Sequence, residues 1–158
     1  MTVSVLFVCA GNICRSPMAE AVFRQQVKQV GLEDAFEIDS AGTGNWYAGQ
    51  QADARTLAVL EKRSIPYEGR ARQVTREDLN QYDYVLAMDV DNLDDLRRLA
   101  GGKRPKIRLF LEAAQHAGTA TNKEVPDPYF DGTFERVYDL VARGSVALLA
   151  EIRAEYDL

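Results

Sequence analysis

Val3-Ser4-Val5-Leu6-Phe7-Val8-Cys9-Ala10-Gly11-Asn12-Ile13-Cys14-Arg15-Ser16-Pro17 is the stretch on which the reading of the chain turns. From Val3 to Val8 it is almost continuously apolar, the pattern of a strand buried on both faces. Pro17 suits the first turn of a helix, and Gly31 stands where that helix should stop. Met18, Ala19, Ala21, Val22 and Val30 are its expected buried side. A buried strand, a tight loop of small residues and a helix form the opening unit of a parallel α/β fold.

Outward from that unit, strands and helices keep alternating. Phe36-Glu37-Ile38-Asp39 reads as a second strand, and Asp53 caps a helix running to Arg63 with Leu57 and Leu60 at helical spacing. Thr75-Arg76-Glu77-Asp78 has the form of a capping box. Tyr84 to Met88 is a third strand, which would hold Tyr84 and keep Tyr82 beside it in the core. Asp89 caps a helix bearing Val90, Leu93, Leu96 and Leu99, and Gly101-Gly102 stops it. Ile107 and Leu109 mark a fourth strand, and a polar, aperiodic stretch from Gln115 to Thr133 includes His116 as a surface loop residue. A final helix carries Phe134, Val137, Val141, Leu148, Leu149 and Ile152. The expectation is a three-layer α/β sandwich: a four-stranded parallel sheet, helices on both faces, and a phosphate-binding loop after the first strand. In such sheets ligands bind beyond the carboxyl ends of the strands.

With 158 residues, one domain spanning 1–158 is expected, and no repeat or linker divides it. A net charge of −5 argues against nucleic-acid or anionic-membrane partners. The chain holds one histidine, His116, and two cysteines, Cys9 and Cys14. That scarcity argues against a metal centre and against histidine-based triads, so no cofactor or metal is expected. Val3–Val8 is too short for a signal-peptide core or a membrane span, which makes a reducing, cytoplasmic setting the expectation.

The loop itself carries the chemistry. Backbone N–H groups at a helix N-terminus favour an oxyanion such as phosphate. Neither a Gly-Lys-Ser/Thr ending nor a G-x-G-x-x-G fingerprint is present, so this is not a nucleotide loop. Instead Cys9 begins it and Arg15 ends it. N–H donors and a helix dipole stabilise a thiolate, and cysteines so placed have pKa values of roughly 3.5–7.5. Cys9 would then attack phosphorus with no histidine base, and the planar fork of Arg15 would grip phosphoryl oxygens as charge builds. Between Pro126 and Pro128, Asp127 sits on a stiffened loop as a candidate proton donor, with Tyr129 and Phe130 as walls for an aromatic leaving group. Trp46 and Tyr47, after the glycine-rich Gly42-Thr43-Gly44-Asn45, are read as substrate rim. Taken alone, Ser40 and Asp127 are also ordinary turn residues, Cys14 an ordinary packing residue, and Asp89 simply a helix cap.

These segments resemble the low-molecular-weight protein tyrosine phosphatases: Val8 to Pro17, Asp127-Pro128-Tyr129, and between them Asp39-Ser40-Ala41-Gly42-Thr43, Ala71-Arg72-Gln73-Val74-Thr75 and Ala87-Met88-Asp89. The resemblance implies cofactor-free hydrolysis of phosphotyrosine in protein substrates, with Cys9 as nucleophile, Arg15 as phosphate clamp and Asp127 as acid, then base. It makes Ala10, Gly11, Asn12, Ile13, Cys14 and Ser16 the phosphate-binding loop, with Ser40 in support. It also implies a reversible disulfide between Cys9 and Cys14; a monomer or weak dimer is the expectation for the assembly. Gly69 departs from the pattern, standing where relatives usually carry a histidine hydrogen-bonded toward the loop asparagine, which leaves the support of Asn12 open. Phe130 stands where many relatives have a second tyrosine.

Three other functions use the same scaffold. In the protein-arginine phosphatases a threonine tends to follow Gly-Asn, and here the residue is Ile13. A thioredoxin-coupled arsenate reductase needs cysteines farther down the chain, and none follows Cys14, although a glutaredoxin- or mycothiol-coupled one needs a single cysteine. A phosphate-binding or redox-sensing module would have no use for the proton donor Asp127.

Overall fold

The computed structural model describes residues 1–158. Val3–Cys9 forms β1, buried at every residue, and it occupies an inner position in a four-stranded sheet of order β2-β1-β3-β4. The neighbours are β2 (Phe36–Gly42), β3 (Tyr84–Ala87) and β4 (Ile107–Leu109), all parallel. The chain leaves β1 to one side for β2 and returns to the other side for β3. The strand order therefore reverses at β1, and the carboxyl end of β1 opens onto the crevice where such sheets bind ligands.

Alternation along β1 divides the core. Val3, Val5, Phe7 and Cys9 face the larger apolar layer, while Leu6 and Val8 face the smaller one. The larger layer is closed by α1 (Arg15–Gln29), α2 (Ala54–Glu61), α5 (Glu112–His116) and α6 (Phe134–Tyr156). Phe7 makes edge-to-face contacts there with Phe23 at 5.6 Å and Phe110 at 5.7 Å. The smaller layer lies under α3 (Arg76–Gln81) and α4 (Val90–Ala100). No helix is long and apolar enough to cross a membrane.

The local signals form where they were expected. Asp53 accepts the Arg55 N–H at 2.8 Å, Thr75 and Asp78 close a reciprocal capping box, Asp89 accepts the Asn92 N–H, and Gly101 ends α4 in the left-handed region. Several boundaries differ. Helix α1 begins at Arg15, two residues before Pro17, and Val30 is exposed, with Phe23 and Val27 taking the buried positions. Strand β2 runs on through Ser40, Ala41 and Gly42 because these pair with Phe7, Val8 and Cys9. Tyr82 ends α3 outside the strand, half-buried against the smaller core layer, and His116 closes the unanticipated short helix α5.

Candidate active site

Residues 10–16 wrap the end of β1, and the carbonyls of Cys9, Ala10, Ile13 and Cys14 are bonded into the fold. Cys9 O accepts from Thr43 N at 2.9 Å, Ala10 O from Gly44 N at 3.0 Å and Ile13 O from Asp53 N at 2.8 Å. Cys14 O accepts from the Thr56 hydroxyl at 3.2 Å. The N–H groups from Gly11 to Ser16 donate to no carbonyl, so they are left to the concavity. Asn12 holds a left-handed backbone, φ 57°, the alternation that folds successive N–H groups into an anion-binding nest. Gly42 makes this possible from the neighbouring strand: a Cβ there would stand 2.7 Å from Ala10 O and 3.1 Å from Asn12 N.

Behind the loop a buried chain of side chains fixes Asn12. Its amide donates to Ser16 Oγ at 2.8 Å and Ser40 Oγ at 3.0 Å, and its Oδ1 accepts from Arg72 N at 3.0 Å. Ser16 Oγ lies 3.0 Å from Cys9 Sγ. Ser40 donates to Glu20 at 2.6 Å, and the same carboxylate oxygen accepts from the Tyr67 hydroxyl at 3.1 Å. Burial, then the charge of Glu20, holds the Tyr67 phenol above its ordinary range, so it remains a donor. Tyr67 also accounts for Gly69, where a Cβ would stand 2.3 Å from the Tyr67 oxygen. Neither Glu20 nor Tyr67 stands out in the sequence, since both act across the fold on residues outside their own elements. Ser40 is thus a strand residue in a buried relay, not a turn residue.

Arg15 is 3% exposed and ties three segments together. Its Nη1 donates to Asp89 Oδ2 at 2.6 Å and to Val125 O at 2.9 Å, and its Nη2 lies 3.9 Å from Asp127 Oδ2. Burial alone would lower the affinity of this guanidinium for its proton, but the charges of Cys9 and Asp89 reverse that and hold it above its usual value. Asp89 therefore does more than cap α4. Asp127 has a side chain 48% exposed, and its Oδ1 accepts the Tyr129 N–H at 3.0 Å in a tight local turn.

These groups converge on one pocket of about 420 Å³. Cys9, Ala10, Gly11, Ile13, Cys14 and Arg15 line its base, and Trp46, Tyr47, Asp127, Tyr129 and Phe130 its walls. Asn12, Ser16 and Ser40 sit behind the base as supports and do not line it. Trp46 at 67% and Phe130 at 92% exposure form the outer rim. The two cysteines are both free and both buried. Burial, joined by the charges of Asp53, Cys9 and Asp127, pushes the Cys14 thiol up to about 12, so it stays protonated at neutral pH.

A parallel sheet with a cysteine-headed anion nest at its switch point, an arginine at the end of the nest and a carboxylate across the pocket defines a class of thiol-dependent phosphate-ester enzymes. The chain matches the family described as "Low molecular weight phosphotyrosine protein phosphatase" over residues 4–158. It is 44% identical to "Low molecular weight protein-tyrosine-phosphatase YfkJ" of Bacillus subtilis, over 99% of each chain. The crystal structure of YfkJ superposes with a TM-score of 0.93 at 43% identity, covering 98% of this chain and 97% of that one. A Drosophila protein described as an arginine phosphatase superposes with a TM-score of 0.83 at 30% identity, covering 94% and 97%. The chain belongs to the low molecular weight phosphotyrosine protein phosphatase family.

Proposed function

We propose that residues 1–158 act as one phosphatase domain that hydrolyses phosphotyrosine in proteins through a cysteinyl-phosphate intermediate. The observation that carries this is the ring of unengaged N–H groups from Gly11 to Ser16 around Cys9, closed by Arg15. The phosphoryl oxygens of the substrate accept from that ring and from the Arg15 guanidinium, which places phosphorus over Cys9 Sγ. The sulfur forms a bond to phosphorus as the phosphorus–oxygen bond to the phenol breaks, and Asp127 gives its proton to the departing oxygen. The Asp127 carboxylate then takes a proton from water, the water oxygen bonds to phosphorus, the sulfur leaves and inorganic phosphate is released. Ser16, 3.0 Å from Cys9 Sγ, is placed to donate to the sulfur when it leaves as thiolate.

Four aromatic side chains around the mouth, Trp46, Tyr47, Tyr129 and Phe130, favour an aryl leaving group, and the apolar Ile13 in the base supports that preference over a guanidinium. The test is a comparison of kcat/KM on phosphotyrosine, phosphoarginine and arsenate for the native chain and for Cys9→Ser and Asp127→Ala. Cys9→Ser should abolish turnover of phosphotyrosine. Asp127→Ala should lose about 10²–10⁴-fold, most on basic leaving groups. Native turnover by Cys9→Ser would overturn the mechanism, and preference for phosphoarginine or arsenate would overturn the substrate.

A further inference from the structure

The loop that carries Asp127 is gripped at two carbonyls, each two residues from the aspartate. On one side Val125 O accepts from Arg15 Nη1 at 2.9 Å, and on the other Tyr129 O accepts from Arg55 Nη1 at 3.1 Å. The remaining donors of Arg55 are also placed. Its Nε and Nη2 donate to the two oxygens of Asp53, each at 3.0 Å, and its guanidinium lies 4.5 Å over the Phe134 ring and 5.4 Å from the Tyr129 ring. Asp53 in turn donates its backbone N–H to Ile13 O in the phosphate loop at 2.8 Å, and Thr56, one residue past Arg55, bonds Cys14 O. Arg55 thus bridges the floor of the pocket to the wall that bears Asp127.

We propose that Arg55 is a positioning residue for the proton donor, setting the Asp127 carboxylate through the backbone of Tyr129. The inference rests on the reading of Asp127 as general acid. Tyr129 is held on both sides of its Cα, its N–H by Asp127 Oδ1 at 3.0 Å and its carbonyl by Arg55, so a shift of this residue moves the N–H that orients the carboxylate. Half-exposed ion pairs contribute little to stability, and the Arg55 side chain is 47% exposed. Its loss should therefore be felt in the aim of Asp127 and not in the fold. The bidentate grip on Asp53 together with a third bond to Tyr129 O needs the planar fork of arginine, which a lysine ammonium does not reproduce.

The experiment measures kcat/KM on phenyl phosphate, phosphotyrosine and p-nitrophenyl phosphate for the native chain, Arg55→Met, Arg55→Lys, Asp127→Ala and Arg55→Met/Asp127→Ala, with competitive inhibition by inorganic phosphate. Arg55→Met should lose about tenfold on phenyl phosphate and phosphotyrosine, and no more than about threefold on p-nitrophenyl phosphate, whose leaving group needs little protonation. Arg55→Lys should fall between the native chain and Arg55→Met. Phosphate inhibition should stay within about twofold, and the double variant should be no worse than Asp127→Ala. Equal loss on all three esters, weakened phosphate inhibition or additive losses in the double variant would overturn the proposal. If Asp127→Ala shows leaving-group dependence and Arg55→Met does not, the positioning role alone falls. If Asp127→Ala shows none, the acid reading falls and takes this inference with it.

Discussion

The two halves of the pocket are built on opposite terms. The phosphate loop is buried from Asn12 to Ser16, the carbonyls of Ala10, Ile13 and Cys14 are bonded into the fold, and its one left-handed residue is braced by three side-chain hydrogen bonds. The acid loop is buried only at Val125, which donates to Met88 O at 2.8 Å, and at Pro128, while Asp127 and Phe130 are exposed. Its grip on the body comes from two arginines and a local turn. The contrast follows from the tasks. Charge stabilisation depends on donors that are already in place and cost no reorganisation, whereas a proton donor must also exchange protons with water between half-reactions. Damage to the first half should therefore penalise every phosphate ester alike, and damage to the second only those with basic leaving groups.

Among changes that touch no catalytic group, the hardest blow to the rigid half should be Gly42→Ala. Its Cβ would stand 2.7 Å from Ala10 O, a backbone atom that cannot swing aside, so the loop must shift. Overpacking of this kind costs about 1–3 kcal/mol of stability. Displacing the nest by a fraction of an ångström should lower kcat/KM on the order of 100-fold, uniformly across aryl phosphates, with phosphate inhibition weakened in parallel. A loss graded by leaving group would erase the distinction between the two halves.

What was legible in the sequence follows the same divide. The strand, the loop and the helix behind it are neighbours in the chain, and so are the caps at Asp53, Thr75 and Asp89, because each signal lies within a few residues of its effect. Asp127 was legible through its flanking prolines and the family likeness. Glu20, Tyr67 and Arg55 were not. Tyr67 meets Glu20 across 47 positions and Arg55 meets Tyr129 across 74, so their roles exist only once the helices are packed. Asp89 was half legible: its cap on α4 is local, its bond to Arg15 spans 74 positions. The extension of β2 to Gly42 was missed for the same reason, being set by pairing with β1 and not by its own alternation.

Asp89 joins the two halves, because it pairs with the arginine that also holds Val125. Asp89→Asn keeps a carbonyl oxygen able to cap α4 but removes the charge facing Arg15, whose side chain is buried. Hydrogen bonds to charged groups contribute about 1.5–3 kcal/mol. With Val125 O still in place, the lower end applies, near tenfold in kcat/KM. This loss should be mixed: weaker phosphate inhibition on every ester, plus a small extra loss on phenyl phosphate as the acid loop loosens. A purely uniform loss would show that Arg15 aims phosphate without steadying Asp127.

The mildest change probes the far end of the relay behind Asn12. Tyr67→Phe removes one of the donors on Glu20, leaving Ser40 on the same oxygen and Arg24 on the other at 2.6 Å. The expected cost is about 1 kcal/mol in unfolding free energy and less than about threefold in kcat/KM, since Ser40 still orients Asn12. Gly69→Ala should act through the same side chain, because its Cβ would stand 2.3 Å from the Tyr67 oxygen and 2.6 Å from the ring carbon that bears it. Removing the oxygen relieves part of that clash, so the two changes combined should lower the unfolding midpoint by less than the sum of their separate effects, as residues sharing a contact are not additive. Additive losses would mean that Gly69 is required by its own backbone and not by the tyrosine.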